Sequence, residues 1–206
     1  MKSDTFTISA KSITRRFGNA LLFKDLNFSI KTGDSFSLTG PNGSGKTTLL
    51  HILTALQRPS SGLVEYKING EVIPLNEINE FIGFISPNVN PYRELTGIEN
   101  INFALKKGSD KNKAKGMLDI FNLYQHREKQ VKYYSSGMAQ RLKFIMAVIN
   151  NPPIFIFDEP GTNLDKKGKG QIYSYIEENM KSKLILIATN ETAESKLCTK
   201  GISLDK

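Results

Sequence analysis

The sequence predicts an α/β fold with a nucleotide-binding core, an antiparallel β edge and an inserted α-helical subdomain. Three observations predict it. A glycine-rich loop at residues 40–48 lies between a strand-like segment and an apolar helical one. Two short runs, 154–157 and 184–188, are apolar without interruption, as strands of a parallel sheet are when both faces are covered. Between the glycine-rich loop and these runs, residues 97–149 contain no segment that reads as a strand.

The elements follow in order. Residues 6–9, 26–30 and 62–68 alternate apolar and polar side chains, the period of antiparallel strands with one buried face. Turn residues at 31–34 and Asn69-Gly70 separate them. Residues 35–39 form a strand leading into the glycine-rich loop, and Leu49, Leu50, Ile52, Leu53 and Leu56 leave it at helical spacing. The helical insertion has an apolar set at Met117, Leu118, Ile120, Phe121 and Leu123. A further helix carries Leu142, Phe144, Ile145, Ala147 and Val148. Between the two apolar strands, residues 169–181 read as a helix with Ile172, Tyr175 and Ile176 on one side. The expected organisation is one domain over 1–206, with 1–86 and 151–206 as the core and about 87–150 as the inserted helical part.

The loop reads Gly40-Pro41-Asn42-Gly43-Ser44-Gly45-Lys46-Thr47-Thr48, which fits G-x-x-x-x-G-K-[ST]. A triphosphate is a dense anion, and enclosing it takes several backbone N–H donors converging on one point. The glycines let the chain turn so that successive amides face inward. A helix starting near Lys46 adds its unpaired N–H groups and the positive end of its dipole. Lys46 then reaches the β- and γ-phosphates, and the Thr47 hydroxyl holds Mg²⁺. The alternative, a glycine-rich turn matching by chance, does not account for the strand before it and the helix after it.

The run 154–157 ends in Asp158 and Glu159. A buried strand delivers such carboxylates to the edge where α/β sheets bind ligands. Asp158 suits the Mg²⁺ shell and Glu159 suits a general base for the attacking water; the plain alternative is an acidic turn. About twenty residues upstream, Ser135 or Ser136 suits the N-cap of the following helix, and Gly137 permits close approach of a ligand.

This order of motifs resembles the ATP-binding cassette of ABC transporters across nearly the whole chain. Ser135-Ser136-Gly137-Met138-Ala139-Gln140-Arg141 is similar to the family signature, and Glu159-Pro160-Gly161-Thr162-Asn163-Leu164-Asp165 to the stretch from catalytic glutamate to D-loop. Phe17, in Arg15-Arg16-Phe17-Gly18, stands at the place of the adenine-stacking aromatic, with core packing as its alternative. The resemblance implies that two cassettes pair, the signature of one meeting the γ-phosphate held by the other, with Asp165 at that interface. It implies ATP and Mg²⁺ as cofactors. It also implies a second cassette, identical or different, and an integral membrane permease as partners.

Two family positions are filled differently. The Q-loop glutamine falls on Pro87, which offers neither an amide side chain nor an N–H, with Asn88 adjacent as a substitute metal or water contact. The switch histidine is replaced by Asn190, which can donate a hydrogen bond to a γ-phosphate but carries no proton charge at neutral pH. His51 and His126 do not occupy that place and read as packing or surface residues. With Lys46, Asp158 and Glu159 present, slow ATP hydrolysis is expected.

Composition bounds the remaining readings. No apolar run approaches the ~20 residues that span a bilayer, and Met1-Lys2-Ser3-Asp4-Thr5-Phe6 lacks the apolar stretch of a secretory signal. A single cysteine, Cys198, excludes an internal disulfide and fits a reducing compartment. The expected location is the cytoplasm, peripheral on the inner face of the membrane through the permease. Net charge is +8, with lysines clustered at 106–115 and 166–169. No aromatic residues interleave with them as stacking platforms for nucleic acid require, so no nucleic-acid partner is expected. The leading function is therefore an ATPase subunit driving a separate permease, with Val89, Tyr92, Ile98 and Phe103 as docking or core residues. A cassette ATPase acting on nucleic acid or ribosomes is the alternative. A small-molecule phosphotransferase lacks the arginine clamp it needs.

Overall fold

The structure, a computed structural model, describes residues 4–110 and 112–204. Met1, Lys2 and Ser3 of the N-terminal reading, and Lys111 of the lysine cluster, lie outside the described residues. In chain order the elements are β1 (Phe6–Phe17), β2 (Ala20–Lys31), β3 (Ser35–Thr39), α1 (Lys46–Leu53), β4 (Ser61–Ile68), β5 (Glu71–Val72) and β6 (Ile82–Ile85). There follow α2 (Gly97–Ala104), α3 (Asn112–Ile120), α4 (Ser136–Val148), β7 (Ile154–Asp158), α5 (Lys166–Asn179), β8 (Leu184–Ala188), α6 (Thr192–Ser195) and β9 (Lys200–Ser203).

The chain divides into two compact units. The first comprises residues 1–84, 153–158 and 179–206; the second comprises 85–152 and 159–178. The sequence reading kept the whole of 151–206 with the core, whereas contacts group 159–178 with the helical unit.

The first unit contains an antiparallel sheet in the order β2-β1-β4-β5 and a sheet in the order β6-β7-β8-β3-β9. Asn69 and Gly70 have positive φ, 51° and 91°, the backbone that a tight two-residue hairpin requires; it turns β4 back into β5. In the second sheet, β3 pairs in parallel with β8 and β9, and β7 in parallel with β8. The register sets Leu38 opposite Ala188, and Asp158 opposite Ala188. Three strands thus end level, and Gly40, Asp158 and Asn190 emerge at one C-terminal edge, where α/β sheets carry their ligands. Strands β7 and β8 are buried at every residue, as their continuous apolar runs predict.

The core of this unit joins Ile8, Ile13 and Ile30 to Leu49, Leu50, Ile52 and Leu53 of α1, and to Ile156 and Leu186. Leu56 does not share in it and is 58 % exposed. Helix α1 stops at Leu53, and Ala55 turns at φ 57°, so the helical period ends before reaching Leu56.

The second unit packs Phe121, Phe144 and Tyr175 around one another, with ring centroids 5.2 to 5.9 Å apart. Leu118, Leu123, Leu142, Ile145, Ile172 and Ile176 are fully buried. Ile120, expected in the apolar set of α3, is exposed. The buried stripe runs through Ala114, Met117, Leu118 and Phe121, and Ile120 falls beside it on the helix circumference.

Candidate functional site

The loop at 40–45 turns on positive φ, and Gly45 is the position that demands glycine. Its φ is 104°, and a Cβ there would lie 2.6 Å from the Leu22 side chain. Helix α1 starts immediately afterward, so its first amides open toward the loop.

Lys46 is 7 % exposed, and its Nζ donates to the carbonyls of Gly40 (2.6 Å) and Pro41 (3.2 Å) and to Asn190 Oδ1 (2.9 Å). All three donors of the ammonium are thereby directed. Asn190 in turn donates from Nδ2 to Asn42 Oδ1 at 2.6 Å. Its amide links the lysine to the outer limb of the loop; both of its polar atoms engage protein partners rather than pointing outward to donate. Thr47 Oγ1 donates to Asp158 Oδ2 at 2.6 Å, and Asp158 is buried. The Ser44 hydroxyl is buried and has no hydrogen-bond partner among the described residues, leaving a polar group inside the loop for a ligand to satisfy. Thr48 is half-buried in the first turn of α1.

A hydroxyl and a carboxylate in direct contact are hard oxygen donors of the kind Mg²⁺ takes alongside phosphate oxygens and water. No cluster of three or more His, Cys, Asp or Glu suited to a metal occurs among the described residues.

Phe17 ends β1 with 51 % exposure, and the Arg15 guanidinium lies 4.4 Å from its ring centroid on one face. Phe17 is not among the buried core residues described.

Candidate residues of the second unit are arranged by helix ends and tight turns. Ser135, not Ser136, is the N-cap of α4: its φ/ψ is extended and its side chain accepts from the Met138 amide at 3.2 Å. Ser136 opens the helix and is exposed. A Cβ on Gly137 would sit 3.1 Å from the Asn163 carbonyl, a tight contact that the missing side chain avoids. Glu159 has φ 49°, an uncommon conformation for a non-glycine residue; its carboxylate accepts from Thr162 Oγ1 at 3.2 Å. Asp165 accepts from the Gly168 amide at 2.8 Å and so caps the start of α5.

Pro87 and Asn88 occupy an exposed turn closed by the Val89 amide donating to the Ser86 carbonyl at 3.1 Å. Of the expected metal set, Thr47 and Asp158 meet within the first unit, whereas Asn88 is a turn residue of the second. Val89, Tyr92 and Phe103 are exposed, Ile98 is half-buried, and the Tyr92 and Phe103 rings meet edge-on at 5.1 Å. His51 lies on α1 and packs with its ring 5.9 Å from that of Phe84, whereas His126 ends a short 3₁₀ turn and is exposed. Burial, helped by the Glu194 carboxylate, pushes the Cys198 thiol up to about 12, so it is no nucleophile at neutral pH.

The sequence reading passed over Thr162 and Lys143. A lysine inside the apolar run Leu142–Ile145 was the available signal, since a charge there must find a partner.

Residues 23–162 match the ABC transporter family. The Nod factor export ATP-binding protein I of Ralstonia nicotianae is 30 % identical over 207 residues, which cover 96 % of this chain and 64 % of that protein. The chain thus spans under two thirds of that relative's length. The lipoprotein-releasing system ATP-binding protein LolD of Leptospira interrogans is 32 % identical over 200 residues, with 89 % and 82 % covered. Among solved structures, a dimeric bacterial ABC transporter cassette superimposes with a TM-score of 0.85 at 26 % identity, covering 96 % of this chain and 94 % of that one. The same cassette is known as a post-hydrolysis dimer bound to ADP and Pi, which matches with a TM-score of 0.83. No helix among the described residues is long and apolar enough to cross a membrane.

Proposed function

Because the chain belongs to the ABC transporter family, we propose that it is an ATP-hydrolysing subunit that pairs with a second cassette around nucleotide and drives a separate membrane permease. The observation that carries this reading is the meeting of Lys46, Thr47, Asp158 and Asn190 at one sheet edge, through the 2.9 Å contact of Lys46 with Asn190 and the 2.6 Å contact of Thr47 with Asp158.

In this reading the loop amides from Gly40 to Thr48 hold the β- and γ-phosphates, and Phe17 offers its open face to the adenine. Lys46 turns from the Gly40 and Pro41 carbonyls onto phosphate oxygens and neutralises charge there. Thr47 and Asp158 would hold Mg²⁺, which when bound would withdraw charge from the phosphates. Glu159 orients a water and takes its proton as the water oxygen bonds to the γ-phosphorus. The bond from that phosphorus to the bridging oxygen breaks, and ADP and phosphate result. Asn190 holds Lys46 and Asn42 in register throughout without titrating.

Ser135, Ser136 and Gly137 present a capped helix start to the γ-phosphate of a second cassette, so nucleotide bridges two chains and its cleavage parts them. Exposed Val89, Tyr92 and Phe103 are the docking surface for the permease. The location that follows is the cytoplasmic face of the membrane.

The test is a Glu159→Gln chain measured by light scattering with and without MgATP. A doubling of mass on nucleotide addition is expected, alongside wild-type turnover well above that of a Lys46→Ala control. A Glu159→Gln chain that stays single at saturating MgATP, or wild-type turnover equal to the control, overturns the reading.

A further inference from the structure

Helix α4 carries two buried polar side chains three residues apart, hence on one face. Gln140 is 7 % exposed and donates from Nε2 to the Pro160 carbonyl at 2.9 Å. Lys143 is 9 % exposed and donates from Nζ to the Ser86 carbonyl at 3.2 Å. Both acceptors are backbone oxygens of loops that carry candidate site residues: Pro160 follows Glu159, and Ser86 begins the turn through Pro87 and Asn88.

The Lys143 contact is not what stability alone would select. Burial holds the Lys143 ammonium below its usual pKa, and the oxygen it reaches is neutral, so the charge is taken out of water without a counter-ion among the described residues. An apolar side chain in this helix, between Leu142 and Phe144, avoids that cost. What the lysine adds is a fixed distance between helix and turn. The Ser86 oxygen it grips also accepts from the Val89 amide at 3.1 Å and so closes the turn itself. Gln140 acts similarly on the other loop. Glu159 sits at φ 49°, a conformation that persists where surrounding contacts over-determine it. The Thr162 amide donates to the Glu159 carbonyl at 3.1 Å, the Thr162 hydroxyl to its carboxylate at 3.2 Å, and Gln140 holds the carbonyl of Pro160, which follows Glu159.

We propose that Gln140 and Lys143 are positioning residues that make α4 a single lever on two loops, one bearing Glu159 and the other the turn at 86–89. Because the Ser135–Gly137 end belongs to the same helix, a load applied there displaces one rod of 13 residues, about 20 Å long, and moves both loops together. This rests on the role given to Glu159 above.

The test uses the full chain with Lys143→Met, Gln140→Leu, the double variant and Lys143→Arg. Amide hydrogen exchange should rise about tenfold at Val89 in Lys143→Met and at Thr162 and Leu164 in Gln140→Leu, the loss expected for one hydrogen bond. Exchange in β7 and β8 should stay unchanged. Steady-state kinetics should show kcat for MgATP about tenfold lower in each single variant with KM within twofold. The double variant should be no worse than the poorer single one, and Lys143→Arg should recover most of the rate. Uniform acceleration of exchange, kcat and KM moving together, or additive losses would make both residues ordinary packing and overturn the proposal. If the wild type turns over no faster than Lys46→Ala, the functional reading fails, and the exchange pattern alone then decides, local change sustaining the lever and global or absent change removing it.

Discussion

The two units hold their candidate residues by different means. Around the phosphate loop each functional side chain is fastened to another: Lys46 to Gly40, Pro41 and Asn190, Asn190 to Asn42, Thr47 to Asp158. These partners come from three strands that end level, up to 148 residues apart in the chain. In the helical unit the corresponding residues are arranged by local capping, Ser135 on Met138 and Asp165 on Gly168, three residues away in each case. Pre-assembled long-range contacts suit a pocket that must already fit its ligand. A capped helix start presents amides outward to whatever arrives. The difference teaches that damage should spread in the first unit and stay local in the second.

Glycine substitutions give the largest expected contrast. Gly45→Ala puts an L-residue at φ 104° with its Cβ against Leu22, which should cost about 1–3 kcal/mol for the strained backbone alone and lower the melting temperature measurably. Gly137→Ala meets the Asn163 carbonyl at 3.1 Å without a φ conflict and should leave the melting temperature within a degree or two. It should still impair nucleotide-dependent pairing. Equal destabilisation by the two would break the comparison.

Next in size is Asn190. Asn190→Ala strips Lys46 and Asn42 of a partner and should lower turnover about tenfold, the worth of one hydrogen bond to a charged group. Asn190→His should bring in a titration near pH ~6.5 that the wild-type pH profile lacks. A profile identical to wild type would show that the position does not communicate with Lys46.

The smallest effect is in the helical unit. Thr96 caps α2 and donates from both its amide and its hydroxyl to Glu99, each at 2.7 Å. The amide bond foremost, then the hydroxyl, holds the Glu99 carboxyl below its usual 4.5. A depressed acid contributes stability that is complete above 4.5 and lost as pH falls through the lower folded value. Protection of the α2 amides, taken relative to their intrinsic exchange rate at each pH, should therefore fall on acidification below 4.5 in the wild type and stay flat in Glu99→Gln. Because the group is exposed the change should be small, and confinement to α2 is what sharpens the contrast.

Much of this was legible in the chain. Residues 40–48 are contiguous, so the loop declared itself through spacing, and the apolar run ending at Asp158 declared a buried strand delivering a carboxylate. Ser135 was readable as one of two N-cap candidates because capping is local. Leu56 and Ile120 misled because apolar periodicity says nothing of where a helix stops or how wide its buried stripe is.

Sequence by itself determined the ligand class, the order of strands and helices, and the family, because each depends on residues a few positions apart. Tertiary structure alone decided that Asn190 would grip Lys46 and Asn42, that Phe17 would stand exposed beside Arg15, and that Lys143 would reach Ser86. Those contacts follow from strand register and from which helix face is buried. A parallel pairing that sets Leu38 against Ala188 carries residues 40 and 190 to the same edge, and a slip of one residue would send their neighbours to opposite faces. Register is settled by the packing of the whole sheet, which no local window of sequence contains.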